Sequence, residues 1–476
     1  MNLNQTLQEK YPHLEVSVLK LSEVKKNIDF RIDDSFWTMK LIYNNKLNYK
    51  KIGECLLKSQ YGISINMNEG GDGIPIYRMN DIDNMLCNFE VKKYALIDKN
   101  ELQTFRLNYG DVLFNRTNSY EFVGRTGIFY NNRENFVFAS YLVRLVCNKE
   151  ILLPEYLTVF LNTHIGKKEI RRRARPSINQ TNVNPEELKE IKIPIFPMEF
   201  QLEIQNLVKD SHKALEESKE LYKKAEETLY LELGLDPKNP LQSLLDSKTN
   251  NPTNSLNISI RTLKESFLKT GRLDSEYYQS KYEDIEKFIK SYPNGYDSFS
   301  NIINNKDTNF TPKNNENYSY IELANIGNNG NISEPISDLG KNLPTRARRI
   351  VSKGDVIISS IEGSLSSCAL ITQEFDKHLV STGFFVLNSK LLNGETLLVM
   401  FKSQIFQEYL KKFPSGTILC AINKEELSKI LIPKIDSTTQ EKIAKYIQES
   451  FNLRKKSKQL LDNAKNKVEE QIQGKV

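Results

Sequence analysis

From Ile204 onward apolar residues recur at three- and four-residue spacing, through Leu207, Val208, Leu215, Leu221, Tyr222 and Leu229. A second run does the same from Ile443 through Tyr446, Ile447, Leu453, Leu460, Leu461 and Val468. Each pattern predicts one long amphipathic helix. With Ile204 at heptad position a, the successive a positions are Ile204, Ser211, Ser218 and Ala225; from Ile443 they are Ile443, Ser450, Ser457 and Ala464. The same four residue types therefore fall at the same four places. Small residues on an apolar stripe let two backbones come close, so these eight positions are expected to form the seam of a helix pair packed at a shallow angle.

The repetition extends upstream of the helices. "EELKEIKIP" at 186–194 returns as "EELSKILIP" at 425–433, an offset of 239, and the register holds without a gap through Ile193-Pro194 and Ile432-Pro433, Gln201 and Gln440, and Ile204 and Ile443. More loosely, "FRIDDSFWTMK" (30–40) matches "GRLDSEYYQSK" (271–281), and "YGDVLFNRT" (109–117) matches "KGDVIISSI" (353–361), with offsets of 241 and 244. Internal duplication decides architecture before any local reading does. Between these landmarks, alternating stretches such as "YALIDK", "DVLFNR", "FVFASYLVRLVCN", "DVIISSI" and "FFVLNS" predict short strands. A shorter helix is expected after them in each half, with Leu157, Phe160, Leu161 and Ile165 matching Leu397, Met400, Phe401 and Ile405.

The expected fold class is α+β: two β-rich domains in tandem pseudo-repeat, each followed by a long helix. The boundaries fall at 1–197 for the first domain, 198–234 for its helix, 235–257 for a linker, 258–435 for the second domain and 436–476 for the second helix. A helix from about Pro197 to Gly234 would be roughly 55 Å long. Gly234 suits a helix C-cap, and the Pro-, Asn- and Ser-rich stretch after it reads as a connection.

Composition narrows the function classes. A chain of 476 residues suits two or three domains. Its 66 Lys and Arg against 60 Asp and Glu leave a mild positive excess of +6, a weak pointer to polyanions. The first residues carry no secretory pattern and no stretch reaches about 18 apolar residues, so the protein is expected in the cytoplasm, without a membrane. Cys55, Cys87, Cys147, Cys368 and Cys420 contain no CxxC, and the four histidines form no HxxxH pair, so neither a disulfide framework nor a metal site is expected. No adenine-methylase tetrad, glycine-rich cofactor loop or phosphate loop is present.

The ordered set "RIDDSFW", "GDVLFNRT" and "IKIPIFPMEFQLEI" plus a long helix, repeated as "RLDSEYY", "KGDVIISS" and "ILIPKIDSTTQEKI" plus a long helix, resembles the specificity subunit of Type I restriction-modification systems across nearly the whole chain. The resemblance implies two target-recognition domains, each reading half of a bipartite sequence in double-stranded DNA. It implies that the helices form an antiparallel coiled coil, a spacer that fixes the distance between the half-sites. It further implies partners: two methyltransferase subunits holding S-adenosylmethionine and, through them, restriction subunits that use ATP and Mg. No catalytic residue and no cofactor are implied in this chain.

Basic residues supply the candidate DNA contacts. "RRRAR" gives Arg171, Arg172, Arg173 and Arg175, and "KNLPTRARRI" gives Lys341, Arg346, Arg348 and Arg349. Guanidinium groups suit both phosphate pairing and bidentate contact with guanine. The polar loop after the first GDV, "NRTNSYEFVGRTG", adds Arg116, Asn118 and Arg125; its counterpart "SSIEGSLSSCA" has no arginine and offers Ser364 among small hydroxyls, beside Glu362. That difference points to two unlike half-sites, hence an asymmetric target.

Blander roles compete at each position. A charge run is often a solvated helix end, and positioning contacts to phosphate outnumber those that read bases. Glu186 and Glu187 read as favourable charge at a helix start rather than acid/base machinery, and Trp37 as a core anchor rather than a stacking platform. Two other classes stay open at this stage: a nuclease with an unfamiliar site, and a scaffold that binds only proteins.

Overall fold

The computed structural model describes residues 3–14, 16, 18–39, 41–131, 135–246, 260–416 and 419–474. Two compact units result, one from Met1–Leu215 together with Lys455–Val476, the other from Glu216–Arg454. Of the segment read as a linker, 235–246 is described and carries a helix, Pro240–Asp246, that buries Leu244; residues 247–257 lie outside the described residues. Among the described residues no helix is long and apolar enough to cross a membrane.

The first unit is organised by a six-stranded sheet in the order Leu56–Tyr61, Leu142–Cys147, Val112–Asn115, Thr126–Ile128, Leu86–Cys87, Ile82–Asp83. The second has a four-stranded antiparallel sheet in the order Ile303–Asn305, Phe384–Ser389, Val356–Ser359, Cys368–Leu370. The first four strands of the one match the four of the other, and the strand opened by the GDV sequence takes the third place in both. All four of its residues are buried in each unit, so both faces of the strand are covered.

The repeated sequences make the same local structure twice, which explains why they are repeated. Gly110 and Gly354 sit at φ 88° and 86°, a left-handed conformation that costs glycine little. The next residue closes the turn: an Asp111 carboxylate oxygen accepts the Asn108 N–H at 2.9 Å, and one of Asp355 accepts the Ser352 N–H at 2.8 Å. Arg31 grips Asp33 through Nε (2.7 Å) and Nη2 (2.6 Å) while Nη1 donates to the Arg173 carbonyl at 2.8 Å. Arg272 grips Asp274 in the same way (2.8 and 2.6 Å) and donates to the carbonyls of Phe413 and Pro414. Trp37 Nε1 and the Tyr278 hydroxyl both donate to the carbonyl of that arginine; Trp37 is half-buried, and the ring buried beside it is that of Phe36, so Trp37 is a hydrogen-bonded brace rather than the core anchor expected.

Gln201 and Gln440 join each long helix to its unit. The amide oxygen of Gln201 accepts the Leu153 N–H, and its nitrogen donates to the carbonyls of Ile151 and Phe196. Gln440 bonds Asn393, Leu391 and Ile435 in the same pattern. Glu186 and Glu187 lie in the first turn of the helix Pro185–Lys189, which Asn184 caps. The short helix expected near residue 157 is two helices, Pro154–Asn162 and His164–Arg173, because the Thr163 hydroxyl caps the second at 3.1 Å; Ser403 makes the equivalent break.

The long helices run Met198–Glu232 and Ser437–Gln473. Gly234 ends the first at φ 75°, with the Leu235 N–H reaching back to the Tyr230 carbonyl at 2.8 Å. The two helices form an antiparallel pair within each unit. In the first, Ser211 Oγ lies 2.8 Å from Ser457 Oγ, and Ile204 shares a core with Ala464. In the second, Ser218 Oγ lies 3.0 Å from Ser450 Oγ, and Ala225 shares a core with Ile443. The last turns of the chain, through Leu461, Ala464, Val468 and Ile472, complete the first unit's core with Ile52, Leu188 and Ile193.

Candidate nucleic-acid interface

Two candidate segments of the first unit lie about 50 residues apart in sequence and are brought together by strand pairing. The hairpin Arg175–Ser177 with Gln180–Asn182 pairs with Thr117–Asn118, setting Thr181 against Asn118 and Asn182 against Thr117. The Thr117 hydroxyl donates to Asn182 at 2.7 Å, which fixes that register. The loop after the GDV strand and the hairpin after "RRRA" are therefore one surface.

Its arginines divide by what they touch. Arg171 is exposed and lies over the Tyr120 ring, 5.6 Å from its centroid; Arg125 lies over Phe122 at 4.1 Å, and Arg116 over Tyr61 at 5.0 Å. All three rings are exposed. Arg116 Nε also donates to the Ser140 carbonyl at 3.0 Å, which aims the guanidinium. Asn118 is half-buried and accepts the Ser119 N–H. Arg172 is held against Phe36, over its ring at 4.3 Å and donating to its carbonyl at 2.6 Å, and burial pulls its pKa below the usual guanidinium value.

Arg173 and Arg175 belong to the frame. The Arg173 guanidinium is buried, ion-paired with Glu169 and 3.7 Å from Glu187. Arg175 pairs with Asp29, which draws the base of the hairpin onto the N-terminal segment. Two buried carboxylates satisfied by one buried arginine leave it nothing to offer a phosphate.

Lys167 and Lys465, neither of them suggested by the sequence pattern, enlarge the cationic surface. Desolvation pulls the Lys167 ammonium below its ordinary pKa, and repulsion from Lys465, Arg171 and Arg125 adds to the shift, against Glu469. Repulsion of this kind needs cations nearby, so Lys465, Arg171 and Arg125 lie close enough to Lys167 to act on its charge. Tyr120 and Phe122 stand between the basic residues of "NRTNSYEFVGRTG", an interleaving of aromatic and basic positions that did carry a signal; Lys167 and Lys465, nearly 300 residues apart, carried none.

The second unit arranges its candidates differently. Arg348 donates to the Thr345 carbonyl at 2.8 Å and Arg349 to that of Phe384 at 2.6 Å, both beside or on the strand Ala347–Ile350. Burial lowers the pKa of Arg349. Lys341 and Arg346 are exposed and make no ion pair among the described residues. The turn 381–383 links the two candidate segments, since Thr382 donates to the Arg346 carbonyl and Ser360 to that of Gly383. Ser364 is engaged internally, 2.8 Å from the Ser359 hydroxyl. The loop after the second GDV thus presents Glu362 and hydroxyls where the first unit presents arginines over aromatic rings.

Comparison with known proteins adds independent findings. The family described as the Type I restriction modification DNA specificity domain matches residues 64–227. The MjaX type I restriction enzyme specificity subunit of Methanocaldococcus jannaschii is similar at 22% identity over 415 residues, 86% of this chain and 88% of that one. The HindI specificity subunit of Haemophilus influenzae is 30% identical over 159 residues, 32% of this chain and 33% of that one. Among solved structures, the S subunit of the Type I restriction-modification system from M. genitalium superposes with a TM-score of 0.42 at 16% identity, covering 90% of this chain and 96% of that one.

Proposed function

We propose that the chain is a specificity subunit of a Type I restriction-modification system, a reading supported by the family match over residues 64–227 and the similarity to the MjaX subunit, and that it reads a two-part DNA target, one part with each unit. The observation that carries the reading is the pairing of Thr117–Asn118 with Gln180–Asn182, which makes one surface of the segments bearing Arg125 and Arg171. Arginines held over exposed rings keep their charge toward solvent while the rings offer faces for stacking, a combination suited to a phosphate backbone and its bases. Arg116, Asn118, Arg125 and Arg171 carry the first half-site in this proposal, with Arg172 steadying the helix end behind them. Lys341, Arg346, Arg348 and Arg349 carry the second. The two surfaces differ in charge and in hydrogen-bonding groups, so the half-sites are unlike and the target asymmetric.

Recognition is the chain's whole contribution in this proposal. It neither methylates nor cleaves. Methyl transfer to adenine belongs to two methyltransferase subunits that bring S-adenosylmethionine, and cleavage to restriction subunits that bring ATP and Mg, all in the cytoplasm. The paired helices set the gap between half-sites.

The test is co-expression with the methyltransferase encoded beside it, in a host without adenine methylation, followed by single-molecule mapping of N6-methyladenine. A split, non-palindromic motif with a fixed gap is expected. No new methylation, with both proteins soluble and associated, overturns the reading; a palindromic motif overturns the asymmetry alone.

A further inference from the structure

The hairpin Arg175–Ser177 with Gln180–Asn182 is hard to account for from the fold alone. Residues 175–180 are all exposed, and Thr181 is the one buried residue on its two strands. A ribbon this short is marginal by itself; pairing with Thr117–Asn118 and the Arg175–Asp29 ion pair hold it in place. Its two-residue turn is Ile178-Asn179. Asn179 takes a left-handed φ of 62°, which asparagine tolerates. Nothing in the turn calls for isoleucine at the other position, and Ile178 is 89% exposed.

A single exposed apolar residue is ordinary on a protein surface. What sets Ile178 apart is the company its ribbon keeps. The ribbon pairs with the start of the loop that bears Tyr120, Phe122 and Arg125, and it leaves a helix whose last turn carries Arg171 over the Tyr120 ring. Dimensions fit the same ligand. The major groove of B-form DNA is about 12 Å wide and about 8.5 Å deep and admits a two-stranded ribbon, whereas the minor groove, about 6 Å wide, does not. Three strand residues at about 3.4 Å each reach roughly 10 Å, enough to bring a tip to base edges from arginines held at the phosphates.

The second unit has a ribbon in the same place with a different tip. Ser415 and Ala421 exchange both backbone hydrogen bonds, and Ala421 bridges Ile361, the counterpart of Thr117. Arg175 and Asn182 enclose the six residues PSINQT, whereas Ser415 and Ala421 enclose the five residues GTILC, of which Leu419 is 59% exposed. Attachment to the loop after GDV is shared, while tip length and sequence differ, as befits a part that reads sequence.

We infer that Ile178 reads a thymine of the DNA target, its side chain resting on the thymine 5-methyl group in the major groove. The inference rests on the DNA-reading proposal above and names a base for one point of that surface. Thymine alone among the four bases offers the major groove a methyl group, so an apolar tip has one partner there. Gln180, exposed beside the tip, carries the amide that suits N6 and N7 of adenine, the base paired with thymine.

The experiment uses the full chain assembled with its methyltransferase, and duplexes carrying the motif that methylation mapping reveals. Each thymine of the motif is replaced in turn by deoxyuridine, which removes the methyl group and nothing else, and binding is followed by fluorescence anisotropy at fixed salt. One replacement should weaken wild type about fourfold, the worth of one buried methyl group, and leave Ile178→Ala unaffected. On the thymine duplex Ile178→Ala should bind more weakly than wild type by at least the same factor, with an unchanged melting curve because the side chain is exposed. If no replacement has an effect that disappears in Ile178→Ala, the inference is overturned. A rise in 2-aminopurine fluorescence on binding that Ile178→Ala abolishes also overturns it, making the residue a wedge between bases. Absence of any mapped motif is a different failure, that of the DNA-reading proposal itself.

Discussion

Truncating the four seam serines to alanine should produce unequal losses, in an order fixed by where each hydroxyl proton goes. In the first unit Ser211 Oγ donates to the Ser457 carbonyl at 3.0 Å, so the 2.8 Å contact between the two hydroxyls uses the proton of Ser457. In the second unit Ser450 Oγ donates to the Ser218 carbonyl at 2.7 Å, and Ser218 supplies the proton between hydroxyls. Ser211→Ala therefore removes a bond to a backbone carbonyl and strands the Ser457 proton in a buried seam, whereas Ser457→Ala removes only the bond Ser211 accepts. An orphaned buried donor costs about 1–3 kcal/mol, against about 0.5–1.5 for a bond lost without one. Ser211→Ala and Ser450→Ala should each cost about 2 kcal/mol, and Ser457→Ala and Ser218→Ala about 0.5–1 kcal/mol. For units of this size 1 kcal/mol is worth about 2–4 °C, so scanning calorimetry resolves the two classes. Equal losses at all four positions, or the reverse order, would refute the proton assignment and with it the close seam.

Further expectations follow from other parts of the structure. Ser218→Leu should cost at least about 1–3 kcal/mol by overpacking a seam with no spare volume, read as a lowered urea midpoint; an unchanged midpoint would refute tight pairing. Phe30→Gly should stabilise the chain by about 1 kcal/mol, since glycine occupies the matching left-handed position in the other copy; a lower melting temperature would show that the ring is needed in the isolated fold. Arg125→Ala with Arg171→Ala should lower the slope of log K against log salt by roughly two and weaken all sequences alike, whereas a loss confined to the cognate site would mean base reading. Asp33 and Asp274 are held below the ordinary carboxylate range chiefly by their hydrogen bonds from Arg31 and Arg272. A carboxyl depressed on folding contributes stability above its unfolded pKa and loses it as pH falls through the folded one. Asp33→Asn should therefore narrow the stability gap to wild type only in strong acid, and a gap constant down to about pH 2 would refute the linkage.

How much of this was legible in the chain depends on the range of the interaction concerned. Helix periodicity is local, and a heptad stripe with Ser211, Ser218, Ser450 and Ser457 at its centre already specifies a close helix pair. Duplication is legible too, because each repeated sequence builds a self-contained device: a glycine turn closed by Asp111 or Asp355, an arginine clamped by Asp33 or Asp274, a glutamine bonding three backbone groups at a helix start. Such devices satisfy their own polar groups and so need the same letters each time they are used.

The assignment of individual arginines was not legible. "RRRAR" reads as uniform charge, yet helix geometry turns Arg173 inward to Glu169 and Glu187 while Arg171, two residues earlier, faces solvent. Neither carboxylate's burial can be inferred without the packing around it, and that packing decides whether a guanidinium is a brace or a contact. The meeting of Asn118 with Thr181, the approach of Lys465 to Lys167 and the completion of the first core by Val468 and Ile472 join residues far apart in sequence. The sequence by itself determined the elements, their duplication and the seam, because those are set by spacing along one chain. Which charges stay free to meet a polyanion was decided only by tertiary structure, because that depends on which distant carboxylate, carbonyl or ring reaches each one first.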